Sequence, residues 1–349
     1  MGDAMGHEAG GSGVGPRRGA RRWAVRLTGA VAAVVALLGC TGLPGSTPAD
    51  SVDTTDSTAP EAGVPLDVLL VFDNSGSMAD EGAAVLLSAA AIVDALGDAD
   101  WRLGVTTTSA HAAYGPTAGT DPGEAGTLAG DYIEPGEGAA DALREQLACS
   151  VIYFKESDLP ADPFYEGEPG DCATPESGSV GREYLDCLCP DGWNMDEGSG
   201  TEEGLEAAVD ALCRGEAPPE ACFNEETPIT EADAGTVDLW RVDSRRRIWV
   251  ISDEGDGSRR QQTADPSADA YLSLFDQLGE PRFSVVGPYF GDDGDGSCLD
   301  GAQTWGVQRY QAAAEATGGA YLALTGGPAT DCAAVDVGTL FAEALREDL

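Results

Sequence analysis

The sequence predicts an α/β fold in which helices cover both faces of a mostly parallel, doubly wound sheet of six strands. From residue 65 onward, short apolar runs rich in β-forming residues alternate with stretches whose apolar residues recur at helical spacing. Two of the apolar runs end abruptly at an aspartate, Asp73 and Asp253, as strands do where they pass into loops. A cysteine-rich stretch interrupts the alternation, and we interpret it as a disulfide-rich insertion at 148–196.

The same patterns give the elements in order. The predicted strands are 66–72, 101–107, 127–133, 247–252, 283–286 and 320–324, with 127–133 as a short edge strand. The predicted helices are 80–96, 139–147, 201–212, 268–278, 307–317 and 337–346. The first helix is expected to end at Gly97, and Trp101 and Trp249 are expected to lie in the core.

The N-terminal 39 residues are predicted to be a signal peptide. An arginine cluster precedes about a dozen apolar residues, too few to span a bilayer. The segment closes with Leu-Leu-Gly-Cys40, which resembles the lipobox of bacterial lipoproteins. That resemblance implies a lipid on Cys40 and, because Thr41 follows, an outer-membrane location. Ordinary cleavage and an uncleaved anchor remain alternatives. Residues 40–64 are rich in Ser, Thr, Pro and Asp and are expected to form a flexible tether.

The composition is strongly acidic. Sixty-one acidic residues stand against 19 basic ones, for a formal net charge of −42. Such a surface repels nucleic acid and anionic lipid head groups and attracts divalent cations, so nucleic acid is excluded as a partner. The bulk charge is equally consistent with a solubility role on an exported protein.

The cysteines also indicate export. Without Cys40 there are eight, an even number that suits four disulfides in an oxidising compartment. The candidates are Cys149, Cys172, Cys187, Cys189, Cys213, Cys222, Cys298 and Cys332. Our proposed pairs are Cys213–Cys222 and Cys298–Cys332, while Cys187 and Cys189 are too close to bridge each other and are expected to pair elsewhere in the insertion. A zinc site is the competing interpretation, but the chain has only two histidines and no C-x-x-C motif.

Three segments are predicted to form one metal site. Asp73-x-Ser75-x-Ser77 follows the first strand, Thr201 begins a helix and Asp253 follows another strand. Loops at the carboxyl ends of parallel strands gather at one edge of a sheet. Short hydroxyl and carboxylate side chains are the oxygen ligands that Mg²⁺ prefers, with water completing its shell. Taken singly, Asp73 and Thr201 are better explained as helix caps than as ligands, but capping does not explain all three segments together.

This arrangement resembles the metal-ion-dependent adhesion site of the von Willebrand factor A (vWA) family, over about residues 65 to 349. The family motif is D-x-S-x-S with a distant threonine and a distant aspartate, and all five positions have a match here. The resemblance implies a Rossmann-like vWA fold and a Mg²⁺ ion, with Ca²⁺ and Mn²⁺ as alternatives. It also implies that Ser75, Ser77 and Thr201 contact the ion, that Asp73 and Asp253 supply charge, and that a protein partner donates a carboxylate.

Two acidic loops depart from the family pattern or stand outside it. Asp253 is followed by Glu254-Gly255-Asp256-Gly257, whose extra acids are interpreted as solvated loop charge, with a second cation as the alternative. The run from Asp292 to Gly296 looks like a calcium loop but lacks the spacing of an EF-hand.

The expected function is that of a lipid-anchored cell-envelope protein, which binds a protein partner through a divalent cation. No enzyme activity is expected, because the sequence lacks a G-x-S-x-G elbow, an H-E-x-x-H motif and a P-loop, and His111 is the only histidine after the signal peptide. Two alternatives remain: a hydrolase that uses the cation as a Lewis acid, and an envelope scaffold in which the metal only stabilises the fold.

Overall fold

The computed structural model contains eight α-helices and five β-strands in the residues that it describes. These residues are 63–109, 126–157, 159–160, 172, 175, 180–195, 198, 202–223, 229–258, 267–288, 304–324 and 336–348. The strands are β1 Leu66–Phe72, β2 Trp101–Thr107, β3 Arg245–Ile251, β4 Arg282–Gly287 and β5 Tyr321–Ala323. The helices are α1 Ala79–Leu87, α2 Ala89–Leu96, α3 Ala139–Gln146, α4 Arg182–Leu188, α5 Gly204–Cys213, α6 Asp269–Gln277, α7 Thr304–Thr317 and α8 Val337–Asp348.

The five strands form one parallel sheet in the order β2-β1-β3-β4-β5. The interior strand β1 starts in register with both neighbours, since Leu66 lies opposite Trp101 on β2 and Arg245 on β3. Because every strand runs in the same direction, their carboxyl ends share one edge of the sheet. The prediction of a parallel sheet flanked by helices is confirmed at this level, and the loops that follow β1, β2 and β3 meet at that edge.

Both faces of the sheet are buried. Successive β1 side chains alternate between them, so Leu70 and Phe72 enter one core while Leu69 and Val71 enter the other. The first core contains side chains of α1, α2, α3 and α8, and the second contains side chains of α5, α6 and α7. Both tryptophans expected in the core are buried there, and Trp249 packs edge-on against Phe341 of α8 with ring centroids 5.3 Å apart.

The prediction of six strands is wrong for the residues described. The segment 127–133 makes a single isolated antiparallel bridge, between Ile133 and Leu103 of β2, and no strand. Its backbone bends at 129–131, around Gly130, and the carbonyl of Asp131 accepts a hydrogen bond from the side chain of Gln146. A glycine bend and a carbonyl already bonded to a helix side chain interrupt the ladder after one pair of residues.

The predicted helix 80–96 is two helices that meet at Ser88. The amide of Ser88 bonds to the carbonyls of both Ala84 and Val85, as it does where an α-helix tightens into a 3₁₀ turn. Gly338 of α8 lies against this point, where an added Cβ would meet Ser88 and Ala84. The close approach of α8 therefore coincides with the break between α1 and α2. Hydrophobic periodicity within residues 80–96 does not reveal this contact.

The insertion is part of the first core. Its helix α4, which was not predicted, buries Tyr184 and Leu185 in that core. Two disulfides, Cys149–Cys189 and Cys172–Cys187, hold the insertion, so the adjacent cysteines pair elsewhere as expected. The expected Cys213–Cys222 bridge is also present.

Several predictions lie outside the described residues. They concern the signal peptide, Cys40 and the tether, the acidic run from Asp292 to Gly296, and the pair Cys298–Cys332. Within the described ranges, every helix is too short or too polar to cross a lipid bilayer.

Candidate metal centre

The carboxyl edge of the sheet brings together the residues that directly follow β1, β2 and β3. The amide of Asp73 bonds to the carbonyl of Ile251 at 2.9 Å, and the amide of Thr108 bonds to the carbonyl of Phe72 at 3.0 Å. The amide of Ser252 continues the same pattern with the carbonyl of Val286, at 3.1 Å. The ladder therefore extends one residue past each strand and fixes three polar side chains at the edge.

Asp73 is fully buried and holds its own loop in shape. Its Oδ1 accepts a hydrogen bond from the amide of Ser75 at 2.8 Å, and its Oδ2 accepts one from the hydroxyl of Ser252 at 2.6 Å. It does not cap a helix, since the 3₁₀ turn Gly76–Met78 and α1 both begin without a side-chain cap. The capping interpretation of Asp73 is therefore wrong, and the carboxylate faces the sheet edge instead.

Ser75, Ser77 and Asp253 are in direct contact. The hydroxyls of Ser75 and Ser77 lie 3.0 Å apart, and Ser77 Oγ donates to Asp253 Oδ1 at 3.2 Å. The amide of Asp253 points at the sulfur of Met78, 3.2 Å away, which keeps the two loops together. Four of the five residues chosen from the sequence thus lie at one edge of the sheet, although 176 residues separate Ser77 from Asp253.

The fifth residue, Thr201, lies outside the described residues, but the chain on either side of it reaches the same edge. The amide of Gly198 bonds to the carbonyl of Asn74 at 3.1 Å, and the amide of Glu203 bonds to the carbonyl of Thr108 at 3.1 Å. Described residues on both sides of Thr201, Gly198 and Glu203, therefore bond to this edge of the sheet.

Glu202 is a residue of the site that the sequence analysis missed. It is fully buried, its Oε2 accepts a hydrogen bond from the hydroxyl of Thr108, and its carboxyl group lies against that of Asp73. Its Oε1 is buried with no hydrogen-bond partner. When both groups are ionised neither Glu202 nor Asp73 can donate to the other, whereas a protonated Glu202 can donate a hydrogen bond to Asp73. The sequence shows an acid directly after Thr201. Its burial is explained only by its contacts with Thr108 and Asp73 in the folded chain.

Burial and mutual repulsion make these carboxyl groups resist ionisation. Burial raises the pKa of Asp73, and burial together with the charge of Asp73 raises the pKa of Glu202 well above its usual range. Burial and, second, Asp73 raise the pKa of Asp253 to about 7, and the same two causes raise the pKa of Glu254. No basic side chain of the described residues counteracts any of these shifts.

A buried group of carboxyl groups without a counter-charge must either keep protons or bind a cation. The donors offered here are all oxygen: two hydroxyls and the carboxylates around them. In the described part of the chain, no three His, Cys, Asp or Glu side chains converge closely enough to form a metal cage by themselves. The donor set and the orphaned oxygen of Glu202 fit a hard divalent cation that takes few protein ligands and keeps several waters.

The loop after Asp253 is a structural clamp on α5. Asp256 is fully buried, and its carboxylate accepts from Arg309 at 2.9 Å, from the amide of Leu205 at 3.1 Å and from Ser258 at 2.6 Å. Burial raises the pKa of Asp256 to about 6, and the positive charge of Arg309 limits the rise. The interpretation of Asp256 as solvated loop charge is therefore wrong, and Arg309 takes the place of the second cation.

Comparisons with known proteins give little beyond the architecture. No protein-family model and no curated protein matches the chain. Among solved structures, it is similar to the human COPII-coat protein Sec24c, with a TM-score of 0.33 and 15% identity over 82% of this chain and 32% of that one. It is also similar to the open conformation of the pilus adhesin SpaC from Lactobacillus rhamnosus GG, with a TM-score of 0.35 and 13% identity over 82% of this chain and 30% of that one. The chain thus spans about a third of either protein, and the likeness is a weak one of fold alone.

Proposed function

We propose that this chain is a vWA-type module that binds a protein partner through a divalent cation at the carboxyl edge of its sheet. Asp73, Ser75, Ser77, Thr201 and Asp253 would hold the ion, which is Mg²⁺ in the first instance, with Ca²⁺ and Mn²⁺ as alternatives. When bound, the ion supplies a positive charge and an open coordination position for a carboxylate of the partner. A lipid on Cys40 and the tether that follows would hold the domain at the bacterial outer membrane.

One observation carries the proposal: the hydroxyls of Ser75 and Ser77 contact each other, and that of Ser77 contacts Asp253, beside buried carboxyl groups that have no basic partner in the described ranges. Such an arrangement is unfavourable without a cation, because two or three negative charges share a desolvated space. Glu202 adds a further carboxylate to the five family positions, which increases the attraction for a divalent ion.

Binding is favoured over catalysis because the described residues hold no Ser-His pair, the usual arrangement that activates a serine as a nucleophile. Ser75 and Ser77 bond to each other and to a carboxylate whose pKa is raised, and the described residues include no histidine that could act as a base. The serine hydroxyls are therefore better suited to bind an ion through oxygen than to attack a substrate.

The test is capture of the partner from a detergent-solubilised envelope, with Mg²⁺ or with EDTA. We expect specific proteins to be retained with Mg²⁺ only, and to be lost with Asp253→Asn while the exposed control Asp94→Asn retains them. Retention in EDTA, or by Asp253→Asn, would contradict the mechanism. If EDTA abolishes capture only at temperatures at which the metal-free chain unfolds, the metal serves the fold, as the scaffold alternative states.

A further inference from the structure

A cavity lies at the opposite, amino-terminal edge of the sheet. It has a volume of about 300 Å³ and opens between the end of α5, the loop before β3 and the end of α6. Its lining includes Leu212, Pro218, Trp240, Arg246 and Leu278. Arg246 is the second residue of β3, so this cavity is separated from Asp253 by the length of that strand, about 20 Å at 3.3 Å per residue.

Arg246 forms no salt bridge within the described residues, in a chain with a large excess of acids, although the charge of Asp67, opposite it on β1, acts on its guanidinium. The carboxylate nearest to it in the sheet, Asp67 of β1, is already bound by the amide of Arg241 at 2.6 Å and by its guanidinium at 2.7 Å. The neighbouring Arg247 pairs with Asp348. The hydrogen bond that Arg246 makes goes to the carbonyl of Leu278, which leaves most of its five donors for another group.

The guanidinium group is held in a fixed position within the cavity. It lies 5.8 Å from the ring centroid of Trp240, whose indole N–H is bound to the carbonyl of Ala211 at 2.9 Å. It also packs on Gly279, where a Cβ would come within 2.9 Å of its Nη1. A side chain at position 279 would push the guanidinium away, so the glycine makes room for it.

The opposite wall is rigid as well. Residues 216–219 form it, with two consecutive prolines, and the Cys213–Cys222 disulfide closes this loop at its base. The three non-glycine residues with positive φ in the described ranges all lie in or next to the lining: Ala217, Asp243 and Glu280. Such conformations cost energy and persist where the surrounding structure enforces them, which is common at binding sites.

We propose that this cavity binds a small carboxylic acid with an apolar, preferably aromatic, body. The carboxylate would accept hydrogen bonds from Arg246, and the body would pack on Trp240, Leu212 and Leu278. The volume lies at the lower end for ligand sites, which restricts the occupant to a small molecule. Glu216 also lines the cavity and opposes an anion, so its charge limits affinity.

The experiment titrates 3-phenylpropionate into the full chain in detergent and EDTA, by calorimetry, with 3-phenylpropan-1-ol as the uncharged comparison. A hydrogen-bonded charge pair contributes about 1.5–3 kcal/mol, so the acid should bind at least about tenfold more tightly than the alcohol. Arg246→Gln should remove that difference, whereas Arg346→Gln, the same change at an exposed arginine of α8, should leave it intact. Equal binding of acid and alcohol, or no saturable binding of the acid, would overturn the proposal.

Because Arg246→Gln also affects packing, further variants change the charge of the cavity at Val242 and Glu216 instead. Val242 lines the cavity and is 77% exposed, so changes there leave the core untouched. Val242→Asp should weaken binding of 3-phenylpropionate several-fold relative to Val242→Asn, and Glu216→Gln should strengthen it. Identical affinities in all three variants would show that charge at this cavity does not govern binding and would refute the assignment.

Discussion

The charge balance at Asp253 gives a quantitative prediction for the metal-free protein. A carboxyl group whose pKa is about 7 when folded and 3.8 when unfolded binds its proton more tightly in the folded state. Its contribution to stability is therefore complete below pH 4 and is lost as the pH rises through 7. In EDTA, the protein should thus become less stable between pH 5 and pH 8, the opposite of the usual trend for carboxylates.

The size of the effect follows from the shift. A pKa shift of about three units corresponds to a change of about 4 kcal/mol in the unfolding free energy. Because Asp253 is only partly buried, solvent screening reduces this to roughly 2 kcal/mol. Asp253→Asn keeps an acceptor for Ser77 and removes the charge. It should therefore raise the unfolding free energy in EDTA at pH 8 by about 2 kcal/mol, or several degrees in Tm, and at pH 5 by less than half of that amount, because pH 5 still lies above the unfolded pKa.

The assay is urea unfolding at pH 5 and pH 8, in EDTA and in Mg²⁺. The natural chain should be stabilised by Mg²⁺ chiefly at pH 8, whereas Asp253→Asn should respond weakly at both values. Asp94→Asn, at an exposed position of α2, serves as the control and should behave like the natural chain. The reasoning is refuted if Asp253→Asn is less stable than the natural chain in EDTA at pH 8, or if it keeps the full response to Mg²⁺.

Three further predictions concern other parts of the chain. Glu202→Gln should stabilise the protein in EDTA and weaken Mg²⁺ binding by about tenfold, which calorimetry measures; unchanged affinity would remove Glu202 from the site. Arg309→Met should cost about 3–5 kcal/mol in urea unfolding because Asp256 is left buried and unpaired, and a loss below about 1 kcal/mol would show that the clamp on α5 is dispensable. Cys40→Ala should move the protein from the detergent phase to the aqueous phase in Triton X-114 partitioning, and equal partitioning of both forms would exclude a lipid anchor on that residue.

Local sequence was sufficient for the elements that are buried on both sides. The ends of the strands that finish at Phe72 and Ile251 are predicted to within two residues. Continuous apolar runs are typical of parallel strands that are buried between two layers of helices. The three residues Asp73, Ser77 and Asp253 could be assigned to one place because parallel strands put their carboxyl ends on the same edge.

Features that depend on a distant partner could not be predicted. The break at Ser88 coincides with the close approach of α8, and the segment 127–133 fails as a strand because a side chain of α3 takes one of its carbonyls. Glu202 and Asp256 look like solvated acids in the sequence. In the structure, Glu202 is buried against Thr108, and Asp256 is buried in an ion pair with Arg309. Sequence spacing does not predict either contact.

The most direct test of the cation site is calorimetric titration of Mg²⁺ into the EDTA-stripped, buffer-exchanged chain. We expect one saturable site in the natural chain, and in Ser273→Ala, a serine-to-alanine control at an exposed position of α6. Ser77→Ala removes one hydroxyl that contacts both Ser75 and Asp253, so its affinity should fall by at least about tenfold. No saturable Mg²⁺, Ca²⁺ or Mn²⁺ binding by the natural chain, or equal binding by Ser77→Ala, would contradict the assignment of a metal centre at this edge of the sheet.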